Sequence, residues 1–315
     1  MAATFVDELR DLEALGIAVA AVGSRNLATA EAFAARHGIE RAYGSYGELA
    51  MDTNIDVAYI ATPHTFHEAH TLLCLNSGKH VLCEKPFAIN AVQADRMIEC
   101  ARVHGKFLME AMWTRFLPAT TAIREQIACG TLGRIRLIVG GGAFLPSAQP
   151  NHYLLQRTLG GGALLDAGIY FISFVSGLIG SALCVKAAGA IGPSGVDEQG
   201  EWLTLHADGA HAIGYVSLRT RRAPDLEIMG ETGRMLVHAP VFCPTRLTLS
   251  RPDRSDEVQH YPVDGGGYRY QALEVLHCVR HGLRESPRLP LAETRAVVAT
   301  MDEIRAQIGM RYCEE

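Results

Sequence analysis

The chain has 315 residues, a formal net charge of -5, 48% hydrophobic and 20% charged residues, the make-up of an ordinary folded protein of one or two domains. Charges of both signs are spread along it without a basic block, which argues against nucleic acid as a partner, and no apolar stretch approaches the roughly 18 to 20 residues of a membrane span. The eight cysteines form no C-x-x-C pair, which suits reduced thiols in a cytoplasmic protein better than a disulfide framework or a zinc site.

Residues 2–15 predict an amphipathic helix with Phe5, Leu9, Leu12 and Leu15 on one face, and the start lacks the basic n-region of a signal peptide. Residues 17–22 are a continuous apolar run, a buried strand ending in Gly23-Ser24-Arg25. A helix over 27–37 closed by Gly38, a short strand at 42–43 and a short helix over 46–51 follow. A strand over 57–61 runs into Thr62-Pro63-His64, and a helix over 66–77 is stopped by Gly78. Val81-Leu82-Cys83 reads as a short buried strand, ended by Glu84-Lys85-Pro86 because proline gives no amide hydrogen to a ladder. A helix over 91–104 and a strand over 107–110 complete this alternation, which predicts a parallel, doubly wound sheet.

After Trp113 the rhythm changes, and the best domain boundary lies near 115–118, giving a dinucleotide-binding unit over 1–115 and a substrate and dimerisation unit over 116–315. A helix over 118–129, a strand over 135–144 and an apolar helix over 162–179 come first. Short strands are then predicted at 183–190, 201–207, 211–219, 226–230, 233–238, 246–250 and 257–261, with Asp208-Gly209 as a hairpin turn. Helices over 268–281 and 292–308 close the chain. This half is α+β with one large, open antiparallel sheet.

Five constellations could carry chemistry. Lys85 sits at the carboxyl end of a buried strand, where open α/β sheets bind ligands, and its ammonium can hold an alkoxide or lower the pKa of a neighbouring acid; the plainer alternative is an exposed lysine after a strand. Asp166 and Tyr170, four apart in an apolar helix entered through Gly160-Gly161-Gly162, share one face, and Tyr170 can exchange a proton with a substrate hydroxyl or can be an amphipathic core tyrosine. Thr62, Pro63, His64 and His67 follow a strand and open a helix, a place for a ligand, whereas no third residue with metal-ligand spacing joins the histidines. Ser24 and Arg25 stand where an acid would bind ribose hydroxyls, so a dinucleotide here is NADP(H) before NAD(H), or Arg25 is a solvated loop residue. Trp113 and Arg115 either line a substrate cleft or form an interdomain packing cluster.

The stretches ATPHTFHEAH, GKHVLCEKPFAIN, LMEAMWTRFLPA and GGGALLDAGIYFISFV together resemble the glucose-fructose oxidoreductase/inositol dehydrogenase (Gfo/Idh/MocA) superfamily. Within it the likeness is to the branch of dimeric dihydrodiol dehydrogenases and NADP-dependent D-xylose dehydrogenases. The resemblance implies a Rossmann domain, a second domain whose antiparallel sheet forms a homodimer, and NADP-dependent oxidation of a hydroxyl on a pyranose or trans-dihydrodiol. Lys85 matches the lysine of the family's Glu-Lys-Pro motif, Tyr170 the acid/base tyrosine, and Asp166 the polar residue beside it. Arg25, with Ser24, matches the reader of the 2′-phosphate. Thr62, Pro63, His64 and His67 match the turn near the nicotinamide, and Glu84, Trp113 and Arg115 go with the cofactor side. Trp113 and Phe144, with Tyr170, match the substrate pocket. The family begins with a strand and a Gly-x-Gly-x-x loop ahead of its first helix. This sequence begins inside that helix, so the expected Rossmann sheet lacks its first strand. The implied explanations are a truncated start or a non-catalytic nucleotide- or sugar-binding protein that lost the loop.

Overall fold

A computed structural model describes residues 2–146 and 152–313. Its first half alternates helices and parallel strands: α1 (Ala2–Leu9), β1 (Ala21–Gly23), α2 (Leu27–His37), β2 (Arg41–Tyr43), α3 (Tyr46–Met51), β3 (Val57–Ile60), α4 (His67–Asn76), β4 (His80–Glu84), α5 (Ala91–His104) and β5 (Leu108–Ala111). The parallel strands lie in two pieces, β1-β2 and β3-β4-β5. Val81, Leu82 and Cys83 are buried in the middle of the second piece, as a strand covered on both faces must be. Asn90 starts α5 by accepting from the Gln93 amide at 2.9 Å, one of the orphan donors of a helix start. The expected strand over 17–22 is shorter than its apolar run: only 21–23 join a ladder. Among the described residues β1 pairs with β2 alone and β3 with β4 alone, so residues 17–20 join no ladder; the Ile17 amide turns back to the Leu12 carbonyl and the Ala20 carbonyl accepts from the Arg41 side chain. The first helix likewise tightens from α1 into a 3-10 turn over Arg10–Leu15.

The second half supplies α6 (Pro118–Ala128), β6 (Ile135–Ala143), α7 (Ile169–Ile179), β7 (Cys184–Ile191), β8 (Asp197–Leu205), β9 (His211–Ser217), β10 (Arg222–Gly230), β11 (Arg234–Val237), β12 (Arg246–Arg251), β13 (Arg254–His260), α8 (Arg269–Arg280) and α9 (Leu291–Ile308). The eight strands form one sheet in the order β13-β12-β11-β10-β6-β9-β8-β7. It is not wholly antiparallel, as the hairpin pattern predicts, because β6 and β9 run parallel. From β6 the chain crosses through α7 to the far edge, and the hairpins β7-β8-β9 then return it alongside β6 in the same direction. Helix α7 covers one face of the sheet, where Phe171 meets Trp202 with ring centroids 6.1 Å apart. The helical segment Arg157–Ile179 reaches the length and apolarity of a membrane span, contrary to the sequence reading, and 67% of its apolar window is buried, the mark of a core helix.

The last two helices return to the first half. Glu8 on α1 accepts from the Arg269 amide at 3.1 Å, and Asp302 on α9 accepts from the Ala91 amide at 2.7 Å. A single hydrophobic core therefore runs from Phe5 through β4 and α7 to Met301. It encloses the carboxyl of Glu110 on β5, which is 1% exposed and accepts from the Phe87 amide at 3.0 Å. Burial pushes its pKa from 4.5 up to about 7. An acid raised in the folded state binds more protons folded than unfolded between those two values. Its contribution to stability is therefore full below pH 4.5 and is lost as pH rises toward 7. Glu110→Gln, which keeps the acceptor for Phe87, is expected to raise stability at pH 8 by roughly 2 kcal/mol and to leave it unchanged at pH 4, measured by urea unfolding at both.

Candidate active site

Strand β4 delivers Lys85 into a closed environment. The residue is 6% exposed, and its Nζ donates to the Asp166 carbonyl at 2.6 Å and to Asp166 Oδ1 at 2.9 Å. The ammonium also lies 4.9 Å from the centre of the Tyr170 ring. Asp166 and Tyr170 come from the start of the apolar helix, which is wound as a π-turn over Leu164–Gly168 before α7 begins. Such turns recur at functional sites because they push a side chain out of α register. Asp197, at the start of β8, accepts from the Leu164 amide at 2.7 Å and so anchors the turn. Gly162 has φ +123, and a Cβ there would lie 2.1 Å from Asp197 Oδ1, so this approach requires glycine.

Aromatic side chains wall the cluster. Trp113 Nε1 donates to the Tyr170 hydroxyl at 3.2 Å, and the Trp113 ring lies 4.6 Å from that of Tyr268. Phe242 approaches Tyr170 at 6.2 Å. Tyr153 donates to Asp166 Oδ1 at 3.1 Å, on the oxygen that Lys85 also uses. The glycine run is held from both halves of the chain: His64 Nδ1 lies 2.9 Å from the Gly160 carbonyl, and the Tyr312 hydroxyl donates to the Gly161 carbonyl at 2.6 Å.

The electrostatics follow from burial set against one ion pair. Burial works against the charge on Lys85, but Asp166, with Tyr170 and Glu84, outweighs it and holds the ammonium pKa above its ordinary value. Burial likewise works against the Asp166 carboxylate, and Lys85 overcomes it, so this pKa is lowered. For Tyr170 burial wins: its pKa is raised, although Lys85 pulls it down as the sequence reading expects. Burial pushes His64 down to about 3 and His67 to about 4, so both rings are neutral near pH 7.

The structure brings Lys85, Asp166, Tyr170, Trp113 and His64 into one cluster, and it moves other expected site residues to supporting roles. His67 is fully buried with Nδ1 2.8 Å from the Pro86 carbonyl and Nε2 2.9 Å from the Thr62 carbonyl, so it ties two loops together rather than facing a ligand. Glu84 is 4% exposed, accepting from the Tyr59 hydroxyl and, at 3.1 Å, from the Lys85 amide, because its side chain turns into the sheet. Arg115 is 1% exposed and bonds Glu293 and the Ser173 carbonyl, which corrects the expectation that its guanidinium faces the cofactor. Phe144, just past β6, packs half-buried on the core, whereas the ring that meets Tyr170 is that of Phe242. At the carboxyl edge of the parallel strands, Thr62 is half-buried with Oγ1 3.0 Å from His70 Nδ1, Pro63 is exposed, Ser24 is half-buried and Arg25 is exposed. Tyr153, Tyr268, Phe242 and Asp197 escape the sequence reading, since no spacing links them to residues 85, 166 and 170.

A parallel sheet of this kind, with a lysine at its carboxyl edge facing a second, sheet-backed unit, has the layout of a Rossmann-type ligand-binding enzyme. Comparison with known families agrees: residues 2–112 match the description "Oxidoreductase family, NAD-binding Rossmann fold" and residues 120–236 match the "GFO/IDH/MocA C-terminal domain", so the chain belongs to the GFO/IDH/MocA oxidoreductase family. It is 37% identical over 304 residues to the human trans-1,2-dihydrobenzene-1,2-diol dehydrogenase, covering 94% of this chain and 90% of that protein. A crystal structure of a 3-ketoreductase from Actinomadura kijaniata, in complex with NADP and TDP-benzene, superposes with a TM-score of 0.85 at 26% identity, over 95% of this chain and 93% of that one. A levoglucosan dehydrogenase in complex with NADH and levoglucosan shares the fold, with a TM-score of 0.87 at 20% identity over 97% and 94% of the two chains. The protein is an oxidoreductase of a family that binds NAD(P).

Proposed function

We propose that this oxidoreductase oxidises a hydroxyl of a pyranose sugar or a trans-dihydrodiol, with NADP as the nucleotide. The observation that carries the reading is the Lys85–Asp166–Tyr170 cluster, in which one ammonium bonds a carboxylate at 2.9 Å and lies 4.9 Å from the tyrosine ring. Tyr170 takes the substrate hydroxyl proton. Lys85 holds the substrate oxygen and offsets the burial that opposes a tyrosinate. Asp166 keeps the lysine charged and in place. Trp113, Tyr268 and Phe242 offer flat apolar faces to a carbon ring.

The residues at the sheet edge fit a phosphorylated dinucleotide. Arg25 is exposed just past the end of β1, with no carboxylate partner among the described residues, and Ser24 beside it carries a hydroxyl. A cation without an acid suits a 2′-phosphate rather than free ribose hydroxyls. Ser24 and Arg25 would hold that phosphate, and Thr62, Pro63 and His64 would line the nicotinamide side. Bound NADP would supply the hydride acceptor. In this reading residues 1–115 form the nucleotide side and 116–315 the substrate side. Arg25→Ala is expected to weaken NADPH binding by about 10-fold or more and to leave NADH binding nearly unchanged, read by fluorescence titration. Equal effects on the two nucleotides sink the assignment. Turnover is tested with NADP on xylose, glucose and a trans-dihydrodiol; tight NADPH binding without turnover on any of them favours a non-catalytic nucleotide-binding protein.

The reading includes a homodimer in the cytoplasm. Leu203, Ile213, Leu236 and Val258 are exposed in one register row across the large sheet, on β8, β9, β11 and β13, a face that a second copy would cover, and all eight cysteines are free thiols, as a reducing compartment allows. Light scattering is expected to give twice the chain mass, and a monomer at micromolar concentration removes this part of the proposal.

A further inference from the structure

Tyr153 is not needed for the acid/base pair, yet it is bonded into the cluster. It sits on a short 3-10 turn, Tyr153–Leu155, and its hydroxyl donates to Asp166 Oδ1 at 3.1 Å. Its ring stacks on His152 at 4.9 Å and meets His64 edge-on at 6.3 Å. Tyr153 is 45% exposed, whereas the side chains of Asp166 and Lys85 are 15% and 6% exposed. The phenol therefore stands at the mouth of the cluster, between solvent and the buried ion pair. A phenol hydroxyl has one donor and two acceptor sites, and among the described residues only the donor is used. Asp166 Oδ1 takes both Lys85 and Tyr153, and Oδ2 accepts from no group among the described residues.

Two pairs of groups thus surround one ammonium. Lys85 and Tyr170 serve one substrate oxygen. Asp166 Oδ2 and the Tyr153 hydroxyl offer an acceptor and a rotatable donor to another. We infer that Tyr153, with Asp166, binds the second hydroxyl of a vicinal diol whose first hydroxyl is oxidised, and so sets the preference for diols and sugars over simple alcohols. The second hydroxyl donates to Asp166 Oδ2, a charge-assisted bond, and accepts from Tyr153 as the phenol turns toward it. A simple alcohol leaves both groups without a partner in a partly closed site, which is the condition for strong discrimination. This inference rests on the dehydrogenase reading above and deepens its substrate class.

The test compares trans-1,2-cyclohexanediol with cyclohexanol, using NADP and NAD, in the wild type and in Tyr153→Phe, which keeps the ring stacking. The wild type is expected to favour the diol. Tyr153→Phe is expected to lose about 10- to 100-fold in kcat/KM on the diol, mostly through KM, and to change by less than about twofold on cyclohexanol. Tyr153→His, which keeps a ring donor, is expected to regain part of the diol preference. No loss on the diol, or an equal loss on both alcohols, overturns the inference. If the wild type oxidises neither alcohol, nor xylose, glucose or a trans-dihydrodiol, with either nucleotide, the dehydrogenase reading fails. An NMR titration with the diol then decides the subsite alone: weaker binding to Tyr153→Phe supports it, and equal binding overturns it.

Discussion

Lys85→Met and Tyr170→Phe are each expected to lower kcat by about 10²- to 10⁴-fold, the range of a general acid/base contribution, while NADPH affinity stays within a few-fold. The two substitutions act on different parts of one step. Tyr170→Phe removes the group that carries the proton but leaves the ring, its contact with Phe242 and the Lys85–Asp166 pair intact. Lys85→Met removes the cation that offsets tyrosinate burial and leaves Asp166 as a buried carboxylate, which burial then drives toward its neutral form. The double variant is expected to be little worse than the poorer single one, because residues acting as a unit are not additive. Steady-state kinetics with NADP and a trans-dihydrodiol provide the measurement, with nucleotide fluorescence as the binding control. Near-normal turnover by both single variants with NADPH still bound removes the mechanism.

The second large effect is on stability. Glu293→Ala is expected to destabilise the fold by about 3 to 5 kcal/mol, read as a fall in the urea midpoint at constant slope. Arg115 is 1% exposed and Glu293 19%, so removing the carboxylate strands a guanidinium that cannot reach water. Among the described residues only the Ser173 carbonyl at 2.9 Å and the longer Ser173 Oγ contact at 3.4 Å then remain for Nη1, and Nη2 already has no partner. The surroundings leave no slack: a Cβ at Gly177 would lie 2.3 Å from the guanidinium, so α7 packs directly on it. Replacing both partners, Arg115→Met with Glu293→Ala, is expected to recover much of the loss, since the cost lies in the unpaired buried charge rather than in the missing bond. A single-variant loss under about 1 kcal/mol would place Arg115 in a wetter setting than its burial indicates.

Legibility in the sequence followed the range of the forces involved. Helix α5 runs over the predicted 91–104 because its start, at Asn90, and its periodicity all lie within one window of the chain. The end of β4 is equally local, since Pro86 stops a ladder whatever surrounds it. The shortened β1 and the parallel β6–β9 pair were not legible, because a strand needs a neighbour and the neighbour is chosen by topology. Residue roles divide in the same way. Arg115 beside Trp113 reads as a pocket cation, yet its carboxylate partner comes from 178 residues away. His67 reads as a ligand-facing histidine, yet two backbone carbonyls take both ring nitrogens.

By itself, the sequence determined the alternating first half, the sheet-rich second half, and the lysine, aspartate and tyrosine at 85, 166 and 170. Periodicity, caps and breakers act over a few residues and need no knowledge of the rest of the chain. Tertiary structure alone decided that Lys85 meets Asp166 across 81 residues, that the helix start is a π-turn anchored by Asp197, and that Tyr153 guards the mouth of the cluster. Those relations depend on which buried groups must find partners once the core closes, and that requirement is satisfied only in three dimensions.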